Sequence, residues 1–448
     1  MYRFTSILCS LLLVIAISTF FVSCASHSGQ GDIPALIERK NNLSSKDETD
    51  NIKTTYNNAV AALKLNPDEY KQYINLATAF ILEGRLSGNG SYYSNAAGKM
   101  LDKVLNSDKA DKDLKFQAYS LKSTVLLNMH QFADALDAAK KAMAISDYNA
   151  GVYGAMVDAN VELGHYEEAV KNCDKMLSIR PDLRSYSRAS YLRQIFGDNR
   201  GAIDAMKMAV DAGIPGAENT EWARVTLGDL YLNVGNTDSA SIVYRSSLVY
   251  RPNYPYAEFG LAKLCRAQKR YDEAIGHTKN AINTLSEGVF VSFLADLYEL
   301  KGDQAKAAEV RNDVLSLMEQ GQKDEKDNVI KHNVNREMAA AYLNDNKLDK
   351  ALNYAKKDLD MRPDNIDANE SYAWIMFLKG DYATAKQHAD KMLKTNTKNA
   401  NTLYKAGVIY ASAGDVVKAD SLKQQALAIN PNIDQRIINQ SGKFLASN

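Results

Sequence analysis

The chain has 448 residues, and 54 Lys and Arg are balanced by 54 Asp and Glu, so the formal net charge is zero. That balance argues against nucleic acid or an acidic membrane surface as the partner and against a solvating acidic tail. With 8 prolines and 24 glycines against plentiful Ala, Leu, Lys, Asp and Asn, the composition is helical with polar turns, and the length suits several domains or one long repeat array.

The first residues read MYRFTSILCSLLLVIAISTFFVSC. Arg3 precedes an apolar run from about Ile7 to Val22, which is short, ends in small residues and gives way to a polar segment. This is the pattern of a secretory signal, not of a spanning helix. The tetrad FVSC resembles a bacterial lipobox, with Phe21 where that pattern prefers Leu. The resemblance implies a signal peptide over 1–23, with Cys24 left as the lipid-modified N-terminus. Ala25 follows where Asp would resemble an inner-membrane retention mark, so the expected location is the cell envelope, at the outer membrane facing the periplasm. Residues 24–45 are rich in Ser, Gly, Asn and Lys and are expected to form a flexible tether with a short helix around Ile33 to Arg39.

Ser45 stands three residues before Glu48, a capping-box signal. The helix it starts carries Ile52, Tyr56, Ala59, Val60 and Leu63 and stops at Pro67; it is expected to be the second helix of a partial first unit. Helix pairs then follow in phase. The unit near Tyr70 has its turn lengthened by LSGNGSYYSN after Gly84. Units near Phe116, Ala150 and Leu183 follow, the last with the weakest pattern, and a polar loop DAGIPGAENT leads to the unit of Glu221 to Pro252. Five more run through Leu261, Leu294, Met338, Tyr372 and Leu403, with a charged stretch EQGQKDEKDN following the second helix of the Leu294 unit. Residues Ile433 to Leu445 are expected to form a last helix.

In the unit EWARVTLGDLYLNVGNTDSASIVYRSSLVYRP, Leu227, Gly228 and Tyr231 share one helical face, and Ala240, Tyr244 and Leu248 share the next. A period of ~34 residues is that of tetratricopeptide repeats, and residues 46–431 resemble about ten such helix-turn-helix units. The resemblance implies an all-α fold, an α-solenoid, with residues 432–448 as a capping helix. Small residues are expected at the crossings, Gly228 against Ala240 and Gly407 against Ala419, while Tyr231 and Tyr244 fill the gaps between units. Arg224, Glu258 and Arg193 depart from the repeat pattern and mark units expected to pack less tightly. Cys173 and Cys265 fall on buried positions of separate units, so no disulfide is expected between them.

No nucleotide loop, GxSxG, HExxH or paired-cysteine metal spacing occurs, and the six histidines are scattered. The expectation is a non-enzyme with no cofactor or metal. The resemblance places the binding surface on the groove formed by first helices. There Tyr191, Trp222, Asp229, Tyr256, Phe259, Lys263, Arg266, Asp296, Arg336, Glu370, Trp374, Phe377 and Tyr404 are expected. The strongest candidates are Tyr191, Trp222, Asp229, Tyr256, Lys263, Arg266, Trp374 and Tyr404. Val225, Asp229, Phe259 and Lys263 occupy the positions where a chaperone-tail clamp would have Lys and Asn, so that clamp is absent. The expected function is a lipid-anchored scaffold that binds a protein or peptide partner and helps assemble an envelope complex. The alternative is an accessory in export or capture of a polysaccharide, with the groove aromatics stacking on sugars.

Overall fold

The computed structural model describes residues 33–39, 43–324 and 328–445; Cys24 and the signal segment lie outside the described residues. From Pro34 onward the chain forms one compact unit. Its described residues form helices and no strand. The first helix, α1 (Lys46–Leu65), starts with the expected capping box: the Glu48 amide donates to Ser45 Oγ at 3.2 Å, and the Ser45 amide to the Glu48 carboxylate at 2.7 Å. Ten antiparallel pairs follow. They are α2 (Tyr70–Ser87) with α3 (Gly90–Leu105), α4 (Lys112–Asn128) with α5 (Phe132–Ile145), α6 (Ala150–Leu163) with α7 (Tyr166–Ile179), and α8 (Leu183–Ile195) with α9 (Asn199–Asp211). Next come α10 (Glu218–Asn233) with α11 (Thr237–Tyr250), α12 (Pro255–Ala267) with α13 (Tyr271–Thr284), and α14 (Gly288–Lys301) with α15 (Gln304–Asp324). The array ends with α16 (Asn335–Asn344) and α17 (Leu348–Met361), α18 (Ile366–Leu378) and α19 (Tyr382–Met392), α20 (Ala400–Ser412) and α21 (Val416–Ile429), then a single helix α22 (Gln435–Leu445).

Three expectations are corrected. The insertion after Gly84 is not a long turn: α2 runs on to Ser87 and α3 starts at Gly90, leaving Gly88 (φ +75°) and Asn89 to reverse the chain. The charged stretch expected to follow the second helix is partly that helix, because α15 continues through Asp324. Residues 34–39 form no helix; their backbone groups are held by tyrosine hydroxyls instead of by their own chain. The Ile37 amide donates to Tyr93 Oη (2.8 Å), Tyr92 Oη to Ala35 O (2.8 Å) and Tyr56 Oη to Pro34 O (3.2 Å). Arg39 binds Glu83, a carboxylate buried in α2.

Packing within and between units uses small residues as sockets. The Tyr244 ring occupies the space opened by Gly228 in its own unit and by Gly260 in the next, where a Cβ on either glycine would overlap it. Tyr244, not Ala240, is therefore what Gly228 admits. At the other end of the array Gly407 does face the Ala419 carbonyl, as expected. Cys173 and Cys265 are buried and free.

A second order of packing joins distant units. The turn inside an early unit meets the turn between two later units, in a repeating register. The Asn333 amide donates to Met129 O (3.0 Å), Asn365 Nδ2 to Val161 O (3.2 Å), Asn199 Nδ2 to Lys398 O (3.3 Å) and Asn430 Nδ2 to Leu232 O (3.0 Å). Arg251, between α11 and α12, likewise bonds Leu43 O and Glu48 at the start of α1. Sequence separations in these contacts lie between 198 and 208 for the side-chain pairs. At ~34 residues per unit, one superhelical turn takes about six units. Val161 O and Leu232 O are last-turn helix carbonyls that already accept the amides of Gly164 and Gly235, and the asparagine side chains add a second donor to each.

Candidate functional site on the concave face

First helices turn one face inward, and a turn of about six units brings first helices of distant units within reach of each other. Arg336 of α16 lies 3.8 Å from Glu162 at the end of α6. Glu162 also binds Arg362, whose guanidinium is buried and held by both Asp358 oxygens at 2.8 and 2.7 Å. Arg188 binds Asp158, and Lys405 binds Glu370 at 2.7 Å while lying 5.7 Å from the centroid of the Trp374 ring. The interior is thus lined by ion pairs of both signs.

Protein surrounds the charged groups of this face on most sides, and charge there is costly. The surrounding protein, followed by the nearby Glu370, raises the Asp367 carboxyl above its usual range although the side chain still meets solvent. Burial raises Glu162 too, against the pull of Arg362 and Arg336. Glu370 goes the other way: burial opposes ionisation, but Lys405 and Thr402 outweigh it and hold the carboxyl low. Although its side chain is 44% exposed, the Tyr191 phenol is pushed up by the protein that surrounds it and then by Asp367 and Glu162.

The predicted groove residues divide into three groups. Tyr191 and Trp222 are each 44% exposed, the open aromatic surfaces of the set. Asp229, Tyr256 and Lys263 are engaged within the array. Asp229 accepts from Tyr244 Oη and pairs with Lys263, and Tyr256 Oη donates to Glu287 while its ring packs edge-on against Phe290. Trp374 is only 2% exposed, packs against Phe377 at 4.9 Å and donates from Nε1 to Gln440 at 2.9 Å; Tyr404 is half-buried against the same core. Arg266 pairs with Asp434 at 3.3 Å and lies 4.4 Å from the Phe293 ring centroid. All three of the pattern's departures have partners: Arg224 binds Glu221 and lies over Tyr250, Glu258 binds His277 at 2.7 Å, and Arg193 binds Asp198 at 3.0 Å.

Sequence reasoning missed the last helix as part of this face. α22 and the Asp434 just before it bring Asp434, Arg436 and Gln440 against α12, α14, α16 and α18. Nothing in a helical period tells on which side a terminal helix will lie. It also missed His130 and His332, whose rings come within 4.9 Å at the contact of α4–α5 with the α15–α16 turn. They are far apart in the chain and meet only because the superhelix turns back. Among the described residues, no group of three or more His, Cys, Asp or Glu is arranged to hold a metal ion.

Residues 150–183 and 225–280 each match the tetratricopeptide repeat family. No curated protein matches the chain. Among solved structures, the human IFIT1 dimer with m7Gppp-AAAA is 14% identical with a TM-score of 0.46, covering 85% of this chain and 86% of its own. A tetratricopeptide repeat protein from Parabacteroides merdae is 18% identical with a TM-score of 0.39, covering 58% of this chain and 99% of its own. With two stretches matching the repeat family inside ten helix pairs stacked in phase, the chain is an α-solenoid that carries tetratricopeptide repeats.

Proposed function

We propose that this protein is a non-catalytic scaffold, lipid-anchored through Cys24 at the outer membrane of a bacterial envelope, that holds a protein or peptide partner on its concave face. The observation that carries the reading is the exposure of two aromatic side chains, Tyr191 and Trp222, at positions the repeat pattern assigns to the groove, in an array whose other groove positions include fixed ion pairs. Aromatics beside oriented charges favour recognition, and a face whose side chains are already fixed loses little entropy on binding. The lipobox resemblance at FVSC supports the anchor, and the anchored array would organise an envelope complex near the membrane.

The test is crosslinking in intact cells followed by mass spectrometry, on the natural chain and on Trp222→Ala. A protein crosslinked by the first and lost with the second is the expected result. Recovery of no protein, with a glycan retained by the purified array, would replace this reading with polysaccharide handling. For the anchor, Cys24→Ser should abolish incorporation of labelled fatty acid; persistent label would refute it.

A further inference from the structure

The last helix does not stack as the first helix of one more unit would. Such a helix packs on the pair before it, and α22 keeps close backbone packing with α20 alone. Its polar side chains reach inward to first helices several units back. Arg436 binds Asp296 of α14 and donates to Asn344 of α16 at 2.7 Å; Asp434 pairs with Arg266 of α12 at 3.3 Å; Gln440 accepts from Trp374 of α18. Among the described side chains its apolar anchor consists of Ile433 just before the helix and Ile437 within it, both buried, with Ile438 beside them.

The fit is also incomplete. Asp296 Oδ1 is buried and accepts no hydrogen bond among the described residues, with Arg311 3.8 Å away, and Arg311 Nε is buried without a partner. A small pocket lined by Ser292, Arg311, Val314, Ala341 and Asn344 opens beside them. Arg436 and Arg266 lie close enough to repel: burial first, then Arg266, lowers the Arg436 guanidinium to about 10. Unsatisfied buried polar atoms and like charges weaken a contact, and a ligand that satisfies them better takes the place of the one that does not.

We propose that α22 is a displaceable occupant of the concave face, and that the surface beneath it receives a partner helix of the same pattern, an acidic residue two positions ahead of an arginine beside an isoleucine stripe. Arg266 and Asp296 read the two charges, and Trp374 reads a polar side chain one turn on. The proposal rests on the reading of the concave face as a recognition surface and adds how that surface is guarded: while α22 is in place, Arg266, Asp296 and Trp374 are covered.

The probe is a fluorescent synthetic peptide of residues 430–448, titrated against the full natural chain and the full chain carrying Asp434→Arg with Arg436→Glu. Both reversals set like charge against like, at Arg266 and Asp296. The expected result is at least tenfold tighter peptide binding to the variant, with helicity and melting of the array retained. A variant that loses its fold, or one that folds and gains no peptide binding, overturns the proposal. Hydrogen exchange on the natural chain gives a second reading without substitution. Amides of α22 should exchange at least tenfold faster than those of α18 and α20, and equal protection would make α22 an integral cap. Peptide binding to the variant with no partner recovered from cells would sink the scaffold reading and leave this inference standing. A partner recovered by the natural chain, with no peptide binding, would do the reverse.

Discussion

The Tyr244 ring sits between two glycines of successive units, and its hydroxyl donates to Asp229, which also holds Lys263 of the next first helix. One side chain thereby sets how closely two units approach and joins them by a polar bond. Gly260→Ala puts a methyl group into the ring and should cost about 1–3 kcal/mol in a urea melt. Tyr244→Phe keeps the packing and loses the bond, at about 1 kcal/mol. The two groove aromatics should behave oppositely. Trp222→Ala should change stability by no more than about 0.5 kcal/mol, whereas Tyr256→Ala, which removes the contact with Phe290 and the bond to Glu287, should cost about 2 kcal/mol. Helical period put both on the concave face, but it records only direction and not what a neighbouring unit places above the side chain. Asp367 gives a pH-dependent case. Its carboxyl titrates higher in the folded chain than in the unfolded one. The ionised form therefore destabilises the fold above the raised value, and that penalty fades as pH falls toward the ordinary Asp range. The Asp367 side chain is exposed and solvent screens its charge, so Asp367→Asn should raise the melting temperature only slightly at pH 7 and leave it unchanged near pH 3.

Elements with a partner next to them in the chain were legible. The Ser45–Glu48 capping box, the paired helices and the repeat period all follow from residues three, four or about 34 apart. Elements whose partners are distant were not. Residues 34–39 look like a polar tether until Tyr56, Tyr92 and Tyr93 are seen to hold their backbone. The apolar residues there, Ile33 and Ile37 among them, also fit a short helix equally well by spacing alone. α22 has a period that suits any helix and a position that depends on Arg266, Asp296 and Trp374. The segment 34–39 offers a test at this scale. Arg39 is the cation on Glu83, and Glu83 lies in the packed interior of α2. Removing it leaves a buried carboxylate without its partner, so Arg39→Ala should cost about 3 kcal/mol. A loss nearer zero would mean that water reaches Glu83 in solution. The same variant should make the 34–39 segment sensitive to proteases, because tyrosine hydroxyls alone then retain it.

Repeat arrays are ordinarily a sum of units and nearest-neighbour interfaces, so that a disturbance in one unit is felt by the next and fades. This array adds contacts between units about six apart, at the turns where Met129, Val161, Gly197 and Leu232 meet Asn333, Asn365, Asn396 and Asn430. A superhelix closed in this way resists uncoiling, and beside these turns Arg336 and Arg362 both reach Glu162 of the earlier unit. Gly164 tests whether that closure persists in solution. Its φ is +82°, and a Cβ there would overlap the backbone of Asp364. Gly164→Ala meets two penalties: left-handed strain of about 1–2 kcal/mol within its own unit, and displacement of the turn stacked against it. Strain alone would loosen only the neighbourhood of α6 and α7. Displacement also frees Asn365 from Val161 O and the Ile366 amide from Tyr166 Oη. Hydrogen exchange should therefore accelerate in two separate places, around 160–170 and around 362–368, with the intervening units, those of α10–α11 and α12–α13 among them, unchanged. Acceleration confined to the first place would mean that the units feel only their neighbours and that the turns do not bear on one another.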